Sequence, residues 1–205
     1  VNIKTVLKIL GAAATGGFLA LKLRKPRKKF DEFVALYDVI GIDYIHQIEN
    51  QLIQALLPHV GDRNVDELDQ LLDRQATYQE KLRFCQRNIP EFNSKAIRAI
   101  CRLVKSNDST NLKSALHNHS IEVDNDSLQL VVKELNELLS QCFDEAMVVN
   151  MPEKDRKEFK HFCSQKTDLK EKLTCFDQHH DSFGSVLFDT LSIFESKIFR
   201  LREEQ

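Results

Sequence analysis

Apolar residues recur at three- and four-residue steps along most of the chain, the spacing that gathers side chains on one face of an α-helix. The longest clean row is Leu128, Val131, Val132, Leu135, Leu138, Leu139, Cys142, Phe143 and Ala146, with Asp124 or Asp126 placed to cap its start. Phe30, Phe33, Val34, Tyr37, Ile45, Ile48, Leu52, Ile53 and Leu56 form another row, interrupted at Gly41, so that one kinked helix or two short ones begin near Asp31. The stretch from Pro58 to Asn64 reads as a turn, with Gly61 suited to a helix end.

A single helix over roughly 65–88 follows, with Leu68, Leu71, Leu72, Tyr78, Leu82 and Cys85 as inner positions. Pro90 stops it, because the residue before a proline avoids the helical region. Ser94 can cap a helix running to Lys105 with Ile97, Ile100, Cys101 and Val104 inward. A polar loop over 106–111 leads to a short helix near 110–118 carrying Leu112 and Leu116. Pro152 suits a first helical turn, Glu153 and Asp155 favour the same end, and Phe159, Phe162 and Cys163 face inward.

The last segment, about 168–204, shows Leu169, Leu173 and Phe176 on one stripe and a joint near His179–Gly184. Leu187, Leu191, Phe194, Ile198 and Leu201 then alternate in steps of four and three. Such a row either closes the bundle or serves as an interaction stripe for another chain, and its shortness favours closure. No stretch alternates in strand fashion for more than a few residues. The expected fold is all-α: an irregular bundle of about six or seven helices preceded by a short apolar N-terminal helix, without repeats of fixed period.

Composition narrows this further. Six glycines and four prolines in 205 residues are too few for sandwiches, propellers or glycine-dependent nucleotide folds. Thirteen phenylalanines against three tyrosines and no tryptophan indicate a largely non-polar core.

Charge separates the chain into two parts. Residues 1–29 carry eight Lys or Arg and no acid, which leaves 21 basic against 31 acidic groups, net −10, from residue 30 onward. An acidic body of this kind repels a phosphate backbone, so nucleic acid is not an expected partner. The apolar run from Ile3 to Leu23 spans about 31 Å as a helix. Lys4 and Lys8 lie at one end of it, and Lys22, Arg24, Lys25, Arg27, Lys28 and Lys29 at the other. Its glycines are tolerated in membrane helices and costly in others. The expectation is a signal-anchor over 1–29 with its basic flank in the cytosol, followed by one acidic helical domain over 30–205. A buried or interface-lying amphipathic helix and a cleaved targeting segment compete with it, although no small-residue cleavage signal follows the apolar core.

Candidate chemistry is sparse. Cys85, Cys101, Cys142, Cys163 and Cys175 are odd in number and widely spaced, as expected of reduced, buried small side chains in a cytosolic domain. Glu158 and His161 share a helix face, but a di-iron site needs two such motifs and two further glutamates. His117, His119, His179 and His180 lack companions at zinc spacing. Ser185 follows only one glycine, and Gly11–Gly17 lacks the Lys-Ser/Thr of a phosphate loop. No catalytic residue, metal ligand or cofactor is therefore assigned.

These readings converge on a membrane-tethered cytosolic protein-interaction module, adaptor or regulatory in kind, at the mitochondrial outer membrane or endoplasmic reticulum. Its partners would be the membrane through residues 3–23, a protein with a basic surface, and anionic lipid headgroups at the basic flank. Two alternatives are a lipid-binding domain with an enclosed apolar cavity between helices and an enzyme of unrecognised class.

Overall fold

The computed structural model describes residues 43–106, 110–118, 125–165 and 168–203. All regular structure among them is helical: α1 (Ile45–Leu56), α2 (Val65–Asp73), α3 (Tyr78–Asn88), α4 (Phe92–Lys105), α5 (Thr110–Asn118), α6 (Asn125–Val149), α7 (Glu153–Ser164), α8 (Leu169–His179) and α9 (Phe183–Glu203). Short 3-10 turns at Leu57–His59 and Asp62–Asn64 fill the expected turn before α2. The fold is thus an all-α irregular helical bundle.

Two predicted segments each divide among the described residues. The segment over 65–88 breaks at residues 74–77, and the one over 168–204 breaks at His180 to Ser182, inside the joint expected at His179–Gly184. The helix predicted from Ser94 starts two residues earlier, at Phe92, which is itself buried.

The described residues group into two compact units. One unit contains residues 43–47, Lys105–Cys142 and 191–203. Its core is the α6 row from Leu128 to Cys142, joined by Leu112, Leu116, Leu191, Phe194 and Ile198, all buried. The Tyr44 ring lies 6.1 Å from that of Phe194. Asn136 is buried here and satisfied on both sides: its Oδ1 accepts from the Tyr44 hydroxyl at 3.2 Å, and its Nδ2 donates to the Ser106 carbonyl at 2.9 Å.

The other unit contains Ile48–Val104 and Phe143–Thr190. Phe84, Phe176 and Phe183 are fully buried in it, together with Leu56, Leu173 and Met147. Asn150 fastens the end of α6: its Nδ2 donates to the Ala146 carbonyl and to Asp189 Oδ2, and its carbonyl accepts from the Ser182 hydroxyl. Arg156 donates to the carbonyls of Met151 and Val149, where a cation also complements the C-terminal end of the helix dipole.

Leu187, Leu191, Phe194 and Ile198 are buried within the chain, so these members of the C-terminal stripe are core positions; the side chain of Leu201 lies outside what is described.

The membrane-tethered reading is corrected. No helix among the described residues is long and apolar enough to cross a membrane. The expected anchor over 3–23 and its flanks, Lys4, Lys8, Lys22, Arg24, Lys25, Arg27, Lys28 and Lys29, lie outside the described residues. The signal-anchor, the membrane as partner, the lipid headgroups, and the placement at the mitochondrial outer membrane or endoplasmic reticulum are therefore not carried forward.

Candidate functional site

The break at residues 74–77 makes α2 and α3 a helical hairpin, and a groove with convergent charge runs along it. Backbone chemistry fixes the break. Gln75 adopts a left-handed conformation, φ 52°, immediately after the last turn of α2. Its N–H donates to the Leu72 carbonyl at 3.1 Å, and the Ala76 N–H donates to the Leu71 carbonyl at 3.2 Å. That pair of bonds is a Schellman motif, and the burial of Ala76 with Leu71 supplies its usual apolar contact.

Thr77 and Glu80 then start α3 with a capping box. The Thr77 hydroxyl oxygen accepts from the Glu80 N–H at 3.3 Å, and Glu80 Oε2 accepts from the Thr77 N–H at 2.9 Å. Bonds from the Thr77 backbone and side chain hold the Glu80 carboxyl below its ordinary pKa, with a smaller contribution from Arg74. Glu80 Oε1 accepts from Arg74 Nη2 at 3.0 Å.

The groove encloses about 630 Å³. Arg74, Arg83 and Arg87 line it with Glu67 and Glu80, and Gln70, Leu71 and Gln86 complete the walls. Arg74 is held by Glu80, and at the far end Arg87 lies 3.8 Å from Glu67. Arg83 sits between them, one turn from Glu80 and one from Arg87 on α3. It is exposed and has no ion pair or hydrogen bond among the described residues.

A guanidinium presents a planar fork of donors that fits a carboxylate or phosphate bidentately, and the two flanking pairs exclude neither. Among the described residues no histidine, cysteine, serine or threonine lines the groove. This groove, lined by charged and amide side chains with one leucine, does not suit an acyl chain.

The residues singled out in the sequence lie elsewhere. Glu158 and His161 are both exposed on α7, and His161 Nε2 lies 3.3 Å from Gln165 Nε2. Among the described residues no group of three or more His, Cys, Asp or Glu could hold a metal ion. His117 is exposed and His119 lies outside the described residues. His179 Nδ1 is 2.7 Å from the Cys175 carbonyl, and the His180 ring stacks 5.0 Å from Phe176. Ser185 lies in the first turn of α9.

All five cysteines are free; Cys85 and Cys142 are buried, whereas Cys101, Cys163 and Cys175 are only half-buried. Burial pushes the Cys85 thiol up to about 11, and burial with the nearby Asp144 carboxylate does the same for Cys163. Thiols so shifted are poor nucleophiles at neutral pH.

Sequence reasoning missed the three arginines because they look like one solvated face of a single helix. The signal that could have found them was Thr77-x-x-Glu80, a helix start inside the apparent run. Comparison with protein-family models, with curated proteins and with solved structures finds no match.

Proposed function

We propose that the unit formed by Ile48–Val104 and Phe143–Thr190 is a non-catalytic protein-recognition domain whose α2–α3 groove takes a carboxylate from an acidic partner segment. The observation that carries this reading is Arg83, a guanidinium without a partner among the described residues, between two arginines that have them. Schellman and capping-box bonds hold the hairpin, so little ordering opposes binding.

The partner is a protein segment with few acids rather than a polyanion. A body carrying net −10 from residue 30 onward repels extended negative charge, and only local contact with Arg83 overcomes that field.

The test is fluorescence anisotropy with a labelled peptide bearing two glutamates in a Gly/Ser background, against its Gln counterpart. The full chain binds the Glu peptide, and Arg83→Gln weakens it about tenfold, the scale of one charge-assisted hydrogen bond. Equal binding of the Glu and Gln peptides, or an Arg83→Gln variant that binds like the parent, overturns the reading.

A further inference from the structure

The groove does not stand alone on α3. A second cleft of about 280 Å³ lies against the same helix, and Arg83 and Gln86 line both. Its other wall is the start of α9 with the residues just before it: Asp181, Ser182, Gly184, Ser185, Phe188 and Asp189. We infer that a partner segment crosses α3 in extended form, with one acidic side chain on Arg83 and an apolar side chain two or three residues away on Phe188. This rests on the reading of the groove as an acid-recognition site.

Three observations define the occupant. First, the cleft is electrostatically polar. Arg83 stands on the α3 side, while Asp181 and Asp189 stand on the α9 side, where Asp189 already accepts from Asn150 Nδ2 at 2.7 Å. One carboxylate at Arg83 is attracted, and a second acid further along would face Asp181. The fitting segment therefore carries a single acid at the crossing, not an acidic run.

Second, Phe188 is 39% exposed, and it lines this cleft. One partly exposed aromatic is ordinary on a protein surface. At the wall of a cleft that also holds an arginine it offers an apolar contact beside a charged one, the combination enriched at interface centres. An extended chain advances about 3.3 Å per residue, so side chains two or three positions apart reach across a cleft of this size.

Third, the Gln86 side chain lies over Gly184. A Cβ at Gly184 would fall 2.8 Å from Gln86 Oε1 and 2.9 Å from Nε2. Glycine there leaves the amide its place between the two clefts, with no hydrogen-bond partner among the described residues. A side-chain amide carries both donors and an acceptor, which suits the N–H and C=O of a chain passing over it.

The test uses the full chain and four labelled peptides in a Gly/Ser background: Glu with Leu two residues later, Glu alone, Gln with Leu, and Glu with a second Glu in place of Leu. The Glu–Leu peptide is expected to bind about fivefold to tenfold more tightly than Glu alone, and the Glu–Glu peptide no better than Glu alone. Phe188→Ser removes the gain from Leu and leaves binding of Glu alone unchanged, whereas Arg83→Gln weakens every Glu peptide. Circular dichroism melting of both surface variants checks that the fold is kept.

If Phe188→Ser leaves the Leu gain intact, or Leu adds nothing, the crossing is wrong while the arginine groove stands. If Gln–Leu binds as well as Glu–Leu, the acid-recognition reading falls and this inference falls with it. Self-association that Phe188→Ser abolishes, and that the Glu–Leu peptide does not displace, would place a second copy of the chain in the cleft and overturn the proposal.

Discussion

Lys172 Nζ on α8 donates to Asp144 Oδ2 on α6 at 2.7 Å, and the lysine side chain is only 10% exposed against 28% for the aspartate. Asp144 Oδ1 is buried without a hydrogen-bond partner among the described residues. Burial raises the Asp144 pKa, and the hydrogen bond and charge of Lys172 offset part of that rise. A carboxyl whose pKa is higher folded than unfolded favours folding below its unfolded pKa, and that contribution is lost as pH climbs through the folded value. The ionised carboxylate therefore depends on Lys172 at neutral pH.

Lys172→Met leaves that carboxylate without its partner. The expected loss is about 3 kcal/mol at pH 7, the scale of breaking a buried pair. The loss shrinks as pH falls toward about 4, because a protonated Asp144 needs no counter-charge. The double variant Asp144→Leu, Lys172→Met recovers most of the stability. Urea melts of the three proteins at pH 4, 5.5 and 7 check this; a loss in Lys172→Met that does not vary with pH counts against the pairing argument.

Gln75 carries a strain that glycine would relieve. A side chain in the left-handed region costs about 1–2 kcal/mol, and glycine returns part of that gain by loosening the unfolded chain. Gln75→Gly is expected to raise stability by about 0.5–1 kcal/mol. The observable is a higher urea midpoint at unchanged slope. Gln75→Ala is the control, since it keeps the Cβ and should stay near the parent.

The capping box predicts a different response. Thr77→Ala removes the oxygen that accepts from the Glu80 N–H and should cost about 1 kcal/mol, with Thr77→Ser near neutral. Glu80 has a lowered pKa, so its contribution is present above the unfolded carboxylate value and is lost as pH falls through the folded one. Glu80→Gln should therefore make stability less dependent on pH between about 5 and 3. Because Arg74 is released at the same time, this variant should also gain affinity for the Glu peptide. Thermal melts across that pH range and one anisotropy titration test both consequences.

Legibility in the sequence followed the kind of signal involved. The α6 row from Leu128 to Ala146 is buried at every position read as inner, because a long uninterrupted period leaves little room for another fold. The predicted helix over 65–88 failed at its middle. Its left-handed residue is Gln75, where a glycine would have announced the stop, and the capping box lay within a run that kept the helical period. The consequences were local: Leu72, read as inner, is 40% exposed, and Phe84, not read at all, is fully buried. The groove went unread for the same reason, since Glu67 and Arg87 are twenty positions apart and meet only when the chain folds back. Gly61, by contrast, looked like a helix stop, yet a Cβ there would meet nothing within 4 Å.

Two tyrosines should answer one substitution with opposite signs. Burial raises the pKa of both Tyr44 and Tyr78, so each hydroxyl stays protonated in the folded protein. The Tyr44 hydroxyl donates to Asn136 Oδ1 at 3.2 Å, whereas the Tyr78 hydroxyl is buried with no partner among the described residues. Removing a buried hydroxyl that is bonded forfeits its bond and strands its acceptor, so Tyr44→Phe should destabilise by about 1–2 kcal/mol. An unbonded one carries only the cost of leaving water, so Tyr78→Phe should stabilise by about 1 kcal/mol. Each change removes a single oxygen and leaves the ring in place, which keeps packing constant between the two. Parallel urea melts measure both values, and a loss of stability in Tyr78→Phe would mean that its hydroxyl has a partner in solution.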